Sequence, residues 1–327
     1  MVDISTKYLG LNLKNPIIVG SSGLTGSVNS IKQLEENGAA AVVLKSIFEE
    51  EIIFEYEDVL KKIGSKGYYN LEDFDYYDFE LKAKKINKYI NIIEECKQTV
   101  SIPVIASINC LYSHEWSFFS KQLENAGADA LELNMFFPPS DLRRSSEEIE
   151  KKYYEIIEKV KSNISIPLAL KISHYFSNLG QVIQKLSNTG IAGLVLFNRF
   201  FSPDFDINTF KVLPTHVLST PSDLANSLRW IAIMSERVNC DLAASTGIHD
   251  GEGVIKQLLA GANAVQVVSS LYKNGKEHLQ VMIKTLEEWM HSKRYKTIDQ
   301  FRGKMSQAKS SNPAVYERAQ FMKYFSS

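Results

Sequence analysis

The feature that most constrains this chain is a repeated alternation between short, almost wholly apolar runs and longer amphipathic segments. Apolar runs of this kind are typical of parallel strands covered on both faces, and amphipathic segments are typical of the helices that cover them. The alternation recurs eight times. It predicts strands at residues 16–22, 40–46, 103–109, 130–136, 167–173, 193–198, 241–247 and 264–270.

The predicted helices end in a recurring way, which supports a repeated unit. A glycine closes the amphipathic segment at Gly38, Gly127, Gly190 and Gly261, each time just before an apolar run. Glycine is a common helix stop because it adopts the left-handed backbone conformation without steric cost. Since parallel strands are joined by right-handed helical crossovers, we predict an α/β fold, a (β/α)8 TIM barrel, with an open doubly wound sheet as the alternative.

Length and composition narrow the class of protein further. The 327 residues fit one decorated barrel, so we predict a single domain over residues 1–327. The 37 basic and 38 acidic residues give no overall field that would attract nucleic acid or an anionic membrane. The three cysteines predict no disulfide framework, and histidines and cysteines lack metal-ligand spacing, so we expect no metal or iron–sulfur cluster. Without a signal-peptide core or a spanning apolar run, we expect a cytoplasmic protein with no membrane contact.

Two insertions interrupt the repeat just after predicted strands. They span residues 49–79, after the second strand, and 200–221, after the sixth. Active sites of β/α barrels are built from the loops at the carboxyl ends of the strands. We therefore expect these loop insertions at the C-terminal face to cover a ligand, with plain surface decoration as the alternative.

Polar side chains stand where the predicted strands end. Lys45 and Lys171 follow apolar runs, and a lysine in such surroundings is costly unless it meets an anion or reaches solvent. Three carboxamides, Asn109, Asn134 and Asn198, end three other strands. Together these groups suit a flat heterocycle with carbonyl and N–H groups, and lysine charge would stabilise a reduced, anionic flavin.

Small residues at three further strand ends suit a phosphate or a closely approaching ring. Ser21, Ser22 and Gly23 follow the first strand and leave the backbone accessible. Gly247 and Ser269 fall at the seventh and eighth strand ends, where barrels commonly hold a phosphate on backbone N–H groups. These residues predict a phosphorylated ligand, although each one alone also fits an ordinary turn or helix cap.

With these strand ends in place, the chain resembles the dihydroorotate dehydrogenases, and more closely the pyrimidine-oxidoreductase domain of dihydropyrimidine dehydrogenase, over nearly its full length. The resemblance implies an FMN-containing barrel that transfers hydride between a dihydropyrimidine and a second electron carrier. It further implies conversion of dihydroorotate to orotate in pyrimidine biosynthesis, and a homodimer. The stretches that carry it are NPIIVGSSG, VVLKS, IPVIASINC, AGADALELN, IPLALKIS, STGI, GANAVQVVSSLYKNG and IDQFRGKM.

The same resemblance implies roles for individual residues. Those that would bind FMN are Ser21, Ser22, Gly23, Lys45, Ser46, Asn109, Asn134, Lys171, Gly247 and Ser269. Those that would bind a small dihydropyrimidine-like substrate are Lys45, Asn134 and Asn198.

One stretch departs from the family pattern. The family's NLSCPN loop, whose cysteine or serine removes a proton from the substrate, reads NMFFPP here, with Phe137 at the general-base position. A phenyl ring cannot accept a proton, and a general base usually contributes ~10²–10⁴ in rate. Ser140 lies three residues later as a replacement, so Lys45 and Ser140 are the candidate catalytic residues. Thr246 also stands where a glycine is usual.

Two other functions stay open from the sequence. A Schiff-base lyase would use Lys171 or Lys45, because barrel-strand lysines also serve aldolases. A catalytically impaired homologue would retain the flavin, or bind nothing, as a subunit or sensor with another substrate. The three asparagines at strand ends favour the flavin enzyme over the lyase.

Overall fold

A closed parallel barrel forms the centre of the computed structural model, which describes residues 2–48, 86–109, 116–199 and 202–317. Eight strands follow one another around it in the order β3, β4, β6, β7, β8, β9, β12 and β13, and β13 pairs with β3 to close it. The strands are β1 (Thr6–Tyr8), β2 (Leu11–Leu13), β3 (Ile17–Val19), β4 (Ala41–Val43), β5 (Ile47–Phe48), β6 (Val104–Asn109), β7 (Ala130–Asn134), β8 (Leu168–Ile172), β9 (Gly193–Leu196), β10 (Asp204–Asp206), β11 (Lys211–Leu213), β12 (Asp241–Ser245) and β13 (Ala264–Val267).

Helices alternate with these strands and surround the barrel. None of the described helices is long and apolar enough to cross a membrane. The helices are α1 (Val28–Glu36), α2 (described over 86–99), α3 (Trp116–Asn125), α4 (Ser146–Lys161), α5 (Leu179–Ser187), α6 (Leu224–Met234), α7 (Gly251–Ala260), α8 (Ser269–Asn274), α9 (His278–Ser292) and α10 (Ala314–Glu317).

The barrel prediction is confirmed, and the open doubly wound sheet is wrong. Each of the eight predicted strands coincides with a barrel strand. The predicted stop glycines adopt the left-handed conformation, with φ of 102° at Gly38, 99° at Gly127, 77° at Gly190 and 118° at Gly261. The observed strands are shorter than predicted. The last one ends at Val267, because the following residues turn into α8.

The inside of the barrel has an apolar lower layer and a polar upper layer. Alternate residues of a strand face the interior, so β7 contributes Ala130 and then Glu132. The lower layer packs small apolar side chains against the β1–β2 hairpin, whose Tyr8 is buried there. The upper layer holds Glu132, Lys171 and Gln266, which are all buried. The polar layer lies at the carboxyl ends of the strands, where the site is expected.

Two glutamates link neighbouring β/α units through the same set of hydrogen bonds. Glu35, at the end of α1, accepts hydrogen bonds from the backbone N–H and hydroxyl of Ser101 at 2.8 and 2.6 Å. Glu124, in α3, likewise accepts from the backbone N–H of Ser165, at 2.8 Å, and from its hydroxyl. Each serine begins a Ser-Ile-Pro turn that leads into a barrel strand. The repeated contact therefore ties a helix end to the start of a strand farther along the chain.

Replacing Glu124 with glutamine should lower the free energy of unfolding by about 2 kcal/mol at pH 7, since hydrogen bonds to a charged acceptor are lost. Burial raises the pKa of Glu124, but bonds from Lys121 and Ser165 outweigh it and lower the pKa to about 2. The folded-state pKa lies below the unfolded value, so this stabilisation is complete above about pH 4.5 and is lost as the pH falls towards 2. Urea unfolding at several pH values measures the difference. The exposed Glu287→Gln serves as control, and a difference that does not shrink in acid would contradict the assignment.

Candidate functional site

A cavity of about 440 Å³ opens at the carboxyl ends of the barrel strands, on top of the polar layer. This volume lies in the range of small-molecule sites. Most of the predicted site residues line it, namely Ser21, Ser22, Gly23, Lys45, Asn134, Lys171, Asn198, Gly247 and Ser269. Most residues of the predicted site therefore lie around one cavity, and their roles in binding stay a prediction.

The second predicted insertion contributes to this cavity. Its final part, Val217, Leu218 and Ser219, lines the cavity wall, as expected for a loop that covers a ligand. The first insertion, predicted at 49–79, lies outside the described residues.

Three predicted site residues do not line the cavity. Ser46 is buried behind it, with its hydroxyl 3.0 Å from that of Ser21 and 2.7 Å from that of Ser107. Ser46 therefore supports Ser21 rather than facing a ligand. Asn109 is also buried, and its side-chain oxygen has no hydrogen-bond partner within the described part of the chain. Ser140 is exposed on the loop after β7 and lines a separate concavity.

Phe137 is turned away from the cavity. Its side chain is 5% exposed and packs edge-on against Tyr153 of α4, with ring centroids 5.2 Å apart. Tyr153 in turn packs against Phe176 at 5.5 Å. Phe137 thus belongs to the packing between the barrel and its helices, and the loop after β7 places neither Phe137 nor Ser140 at the cavity wall.

Cations dominate the charge at the cavity. Lys45, Lys171 and Arg199 line it, whereas no aspartate or glutamate is among the described residues that do. Lys45 is exposed at the rim, whereas Lys171 is buried, with 9% of its surface exposed. A cavity with this charge favours an anionic ligand.

Arg199 was missed by sequence reasoning, although it directly follows Asn198. Its guanidinium group donates to the carbonyl oxygens of His216 at 2.8 Å and Leu218 at 3.1 Å, and to the carboxylate of Asp223 at 3.1 Å. These bonds hold the segment that forms the cavity wall. A charged residue just past an apolar strand was the signal that could have identified it.

Glu132 and Gln266 were also missed, and they form a buried chain with Lys171. The Nζ of Lys171 donates to the Oε1 of Gln266 at 2.7 Å, and the Nε2 of Gln266 donates to the Oε2 of Glu132 at 2.5 Å. Burial raises the pKa of Glu132 and lowers that of Lys171, and each charge opposes the shift of the other. The signal was Glu132 inside an apolar strand, two residues before Asn134 and hence on the same face.

Hydroxyl and backbone N–H groups gather at the opposite end of the cavity. The backbone N–H of Ser219 donates to the hydroxyl of Ser269 at 2.9 Å, and the hydroxyl of Ser219 lies 3.1 Å from the Nε2 of His249. The backbone N–H of Gly247 donates to the hydroxyl of Ser219 at 3.4 Å. Thr246 precedes it with φ of 75°, which explains why a glycine is usual there. Ser219 is a further site residue that sequence reasoning missed.

Asn198 presents an unused acceptor at the cavity. Its Nδ2 donates to the backbone carbonyl of Met135 at 3.3 Å and lies 3.4 Å from the Oδ1 of Asn134. Its own Oδ1 is buried, and no described residue donates a hydrogen bond to it. A buried acceptor of this kind is costly unless a ligand supplies a donor, such as a ring N–H group.

Comparisons with known proteins agree with this geometry. The dihydroorotate dehydrogenase family model matches residues 3–290. Dihydroorotate dehydrogenase B (NAD(+)), catalytic subunit, of Thermoplasma volcanium is 28% identical over 320 residues, which cover 93% of this chain and 98% of that protein. Dihydropyrimidine dehydrogenase (NADP(+)), chloroplastic, of Arabidopsis thaliana is 22% identical over 325 residues, covering 92% and 76%. Dihydroorotate dehydrogenase A (fumarate) of Lactobacillus delbrueckii is 23% identical over 288 residues, covering 84% and 88%. The chain belongs to the dihydroorotate dehydrogenase family and is a dihydroorotate dehydrogenase-like oxidoreductase.

Proposed function

We propose that this protein binds FMN in the cavity and oxidises dihydroorotate, a dihydropyrimidine that carries a carboxylate. The observation that carries the proposal is the charge of the cavity, which is lined by Lys45, Lys171 and Arg199, whereas no aspartate or glutamate is among the described residues that line it. A phosphate and a substrate carboxylate together need such surroundings. Family membership supports an oxidoreductase over the Schiff-base lyase.

The residues present fit FMN at three places. Gly247, Ser219 and Ser269 offer N–H and hydroxyl groups suited to a phosphate. Lys171 lies at the cavity floor, where its charge would favour an anionic ring. The turn at Ser21 leaves backbone open to close approach. When bound, FMN supplies a two-electron acceptor for the hydride of the substrate.

The substrate would be oriented by amide groups and one cation. Asn134 and Asn198 come from strands β7 and β9 and reach the same cavity. The unpartnered Oδ1 of Asn198 accepts a ring N–H of the dihydropyrimidine. Lys45 stands at the rim, where its ammonium group attracts the substrate carboxylate.

Removal of a proton from the substrate requires a group that accepts it. Phe137 is packed against Tyr153, and Ser140 lies in another concavity, so the loop after β7 brings no base to the cavity. We propose that a water molecule in the cavity accepts the substrate proton in place of a side-chain base from this loop, at a rate reduced by ~10²–10⁴. The lack of a base from this loop also fits the alternative function, a catalytically impaired homologue with another substrate.

An anaerobic titration of the FMN-reconstituted protein tests the proposal. We expect dihydroorotate to bleach the flavin absorption band, because the cationic cavity attracts its carboxylate. Bleaching should be slow, because the loop after β7 brings no base to the cavity. Dihydrouracil, which lacks the carboxylate, should leave the band unchanged. An oxidised flavin that responds to neither compound would contradict the substrate. A protein that takes up no FMN would contradict the proposed cofactor and favour the alternative function, a Schiff-base lyase.

We further propose a homodimer, as the family resemblance implies, formed through the β10–β11 hairpin. Phe205, Ile207 and Phe210 are 69%, 80% and 91% exposed there, and Val212 is 59% exposed. Among the described strands, these two pair only with each other, and an isolated hairpin of this kind is marginal in water. A second copy would cover this apolar surface and stabilise the hairpin.

Phe210→Ser together with Ile207→Ser should convert the dimer to monomer, because two exposed apolar anchors are removed from the hairpin. Sedimentation velocity measures the change. The exposed Val281→Ser, on helix α9, is the matched control and should leave the dimer intact. A monomeric wild-type protein, or a double variant that stays dimeric, would refute this interface.

A further inference from the structure

We propose that Glu132 is a positioning residue that acts through Gln266 to keep the Lys171 ammonium group charged and fixed at the cavity floor. The inference rests on the proposed function, because the ligand that would meet this ammonium group is FMN. It concerns the layer beneath the cavity, since Glu132 itself is not among the residues that line it.

The order of the three side chains follows from what each can donate or accept. An ammonium group only donates hydrogen bonds, and an ionised carboxylate only accepts them. Gln266 lies between Lys171 and Glu132 and does both, accepting from Lys171 at 2.7 Å and donating to Glu132 at 2.5 Å. The carboxylate therefore determines which end of the amide faces Lys171. If the amide were reversed, two donors would meet at Lys171.

The electrostatics show why Lys171 needs this chain. Glu132 is 1% exposed and Lys171 9% exposed, and an isolated charge at such a depth is strongly disfavoured. Burial lowers the pKa of Lys171, while the negative charge of Glu132 raises it again. Without Glu132, burial alone would act, and Lys171 would lose its proton at a lower pH.

Other titratable groups near Glu132 do not replace Lys171 in this role. Tyr8 of β1 and Tyr89 of α2 interact electrostatically with Glu132. Burial raises the pKa of both phenols above the ordinary value, so both stay neutral across the physiological range. Among the described residues, Lys171 is the cation whose charge acts on Glu132.

One oxygen of the Glu132 carboxylate argues against a purely structural role for this hydrogen-bond network. The Oε1 of Glu132 is buried and has no hydrogen-bond partner among the residues that the structure describes. A carboxylate selected only to fasten the barrel would be expected to use both oxygens, since an unsatisfied charged acceptor is costly. The cost is explained if the charge itself is what Lys171 requires.

The test is the dissociation constant of FMN, measured by quenching of flavin fluorescence on the ligand-free protein between pH 7 and 9. Glu132→Gln should weaken FMN binding about tenfold at pH 7, the scale of one lost charge-assisted hydrogen bond. The loss should grow as the pH rises, because Lys171 then loses its proton. The wild-type protein should show a much flatter profile, and Glu132→Asp, which keeps the charge, should resemble it.

A double-mutant cycle with Lys171→Met separates an effect through Lys171 from general damage. In the Lys171→Met background, Glu132→Gln should change FMN affinity little and add no pH dependence. Gln266→Met removes the amide that links Lys171 to Glu132 but keeps both charged side chains. If Glu132→Gln fails to fold, this variant should show the same weakening of FMN binding. The matched control is Gln257→Met, which breaks a buried bond to Ser227 of 2.9 Å outside the cavity and should lower stability without moving FMN affinity.

The outcomes are distinguishable from failure of the proposed function. A wild-type protein that binds no FMN contradicts the proposed function itself. If the wild type binds FMN but Glu132→Gln binds it equally well at every pH, the positioning role is wrong. The role is also wrong if the full loss persists when Lys171 is already methionine.

Discussion

Gly247→Ala should lower the free energy of unfolding by about 4 kcal/mol and abolish binding at the cavity. A β-carbon at this position would lie 2.0 Å from the backbone nitrogen of Leu224, so the start of helix α6 would have to move. Backbone displacement of this kind typically costs 1–3 kcal/mol or more. The φ of 81° adds roughly 1–2 kcal/mol, because alanine is strained in the left-handed region.

Gly10→Ala is a close control for this prediction. Gly10 has a similar φ of 75°, but a β-carbon there would meet nothing within 4 Å. We expect it to cost only the backbone strain, about 1 kcal/mol. Urea unfolding of both variants separates the steric part of the effect from the conformational part. Equal losses would show that the contact between Gly247 and Leu224 does not matter.

The barrel could be predicted from the sequence because its signals are local. A strand that is covered on both faces is apolar throughout, and a helix that ends in the left-handed conformation favours glycine, as at Gly38 and Gly261. Neither signal depends on which residues meet in space. The positions of Lys171 and Asn198 at strand ends followed from the same pattern, because parallel strands of a barrel end at one face.

The missed residues share a different property, which is that their role depends on partners far along the chain. Glu132 and Gln266 are separated by 134 positions and meet only because β7 and β13 face each other inside the barrel. Arg199 is useful to the site through carbonyl groups of residues 216–218, which lie in an irregular loop. Spacing in the sequence cannot specify such contacts before the register and the loop path are known.

The loop after β7 also shows what the sequence could not predict, because here the residue was identified but its contacts were not. Sequence resemblance assigned Phe137 to the position of a proton acceptor and offered Ser140 as a substitute. The structure gives Phe137 a packing role against Tyr153 and leaves Ser140 exposed in another concavity. Matching a motif position therefore predicted where the residue lies along the chain, but not the direction of its side chain. The preceding Asn134 lines the cavity, because it is the last residue of strand β7 and the strand fixes the direction of its side chain.

Phe137→Cys should consequently destabilise the protein without improving the oxidation of dihydroorotate. Truncating a buried phenylalanine leaves a cavity beside Tyr153, and we expect a loss of about 3 kcal/mol in the free energy of unfolding. The new thiol would lie in that apolar packing layer, where it reaches no substrate in the cavity. Single-turnover reduction of the bound flavin by dihydroorotate, followed across pH 6 to 9, measures the chemical step.

Phe137→Leu is the matched control, since it keeps an apolar side chain of similar bulk and should cost about 1 kcal/mol. If the rate constants for flavin reduction in the cysteine and leucine variants are equal, Phe137 acts through packing alone. A rise of ~10² or more with cysteine and not with leucine would show that the loop after β7 turns towards the substrate during catalysis. In that case the packing of Phe137 against Tyr153 would be the contact that holds the loop away from the cavity, and the slow proton removal proposed for this protein would be a consequence of one substitution.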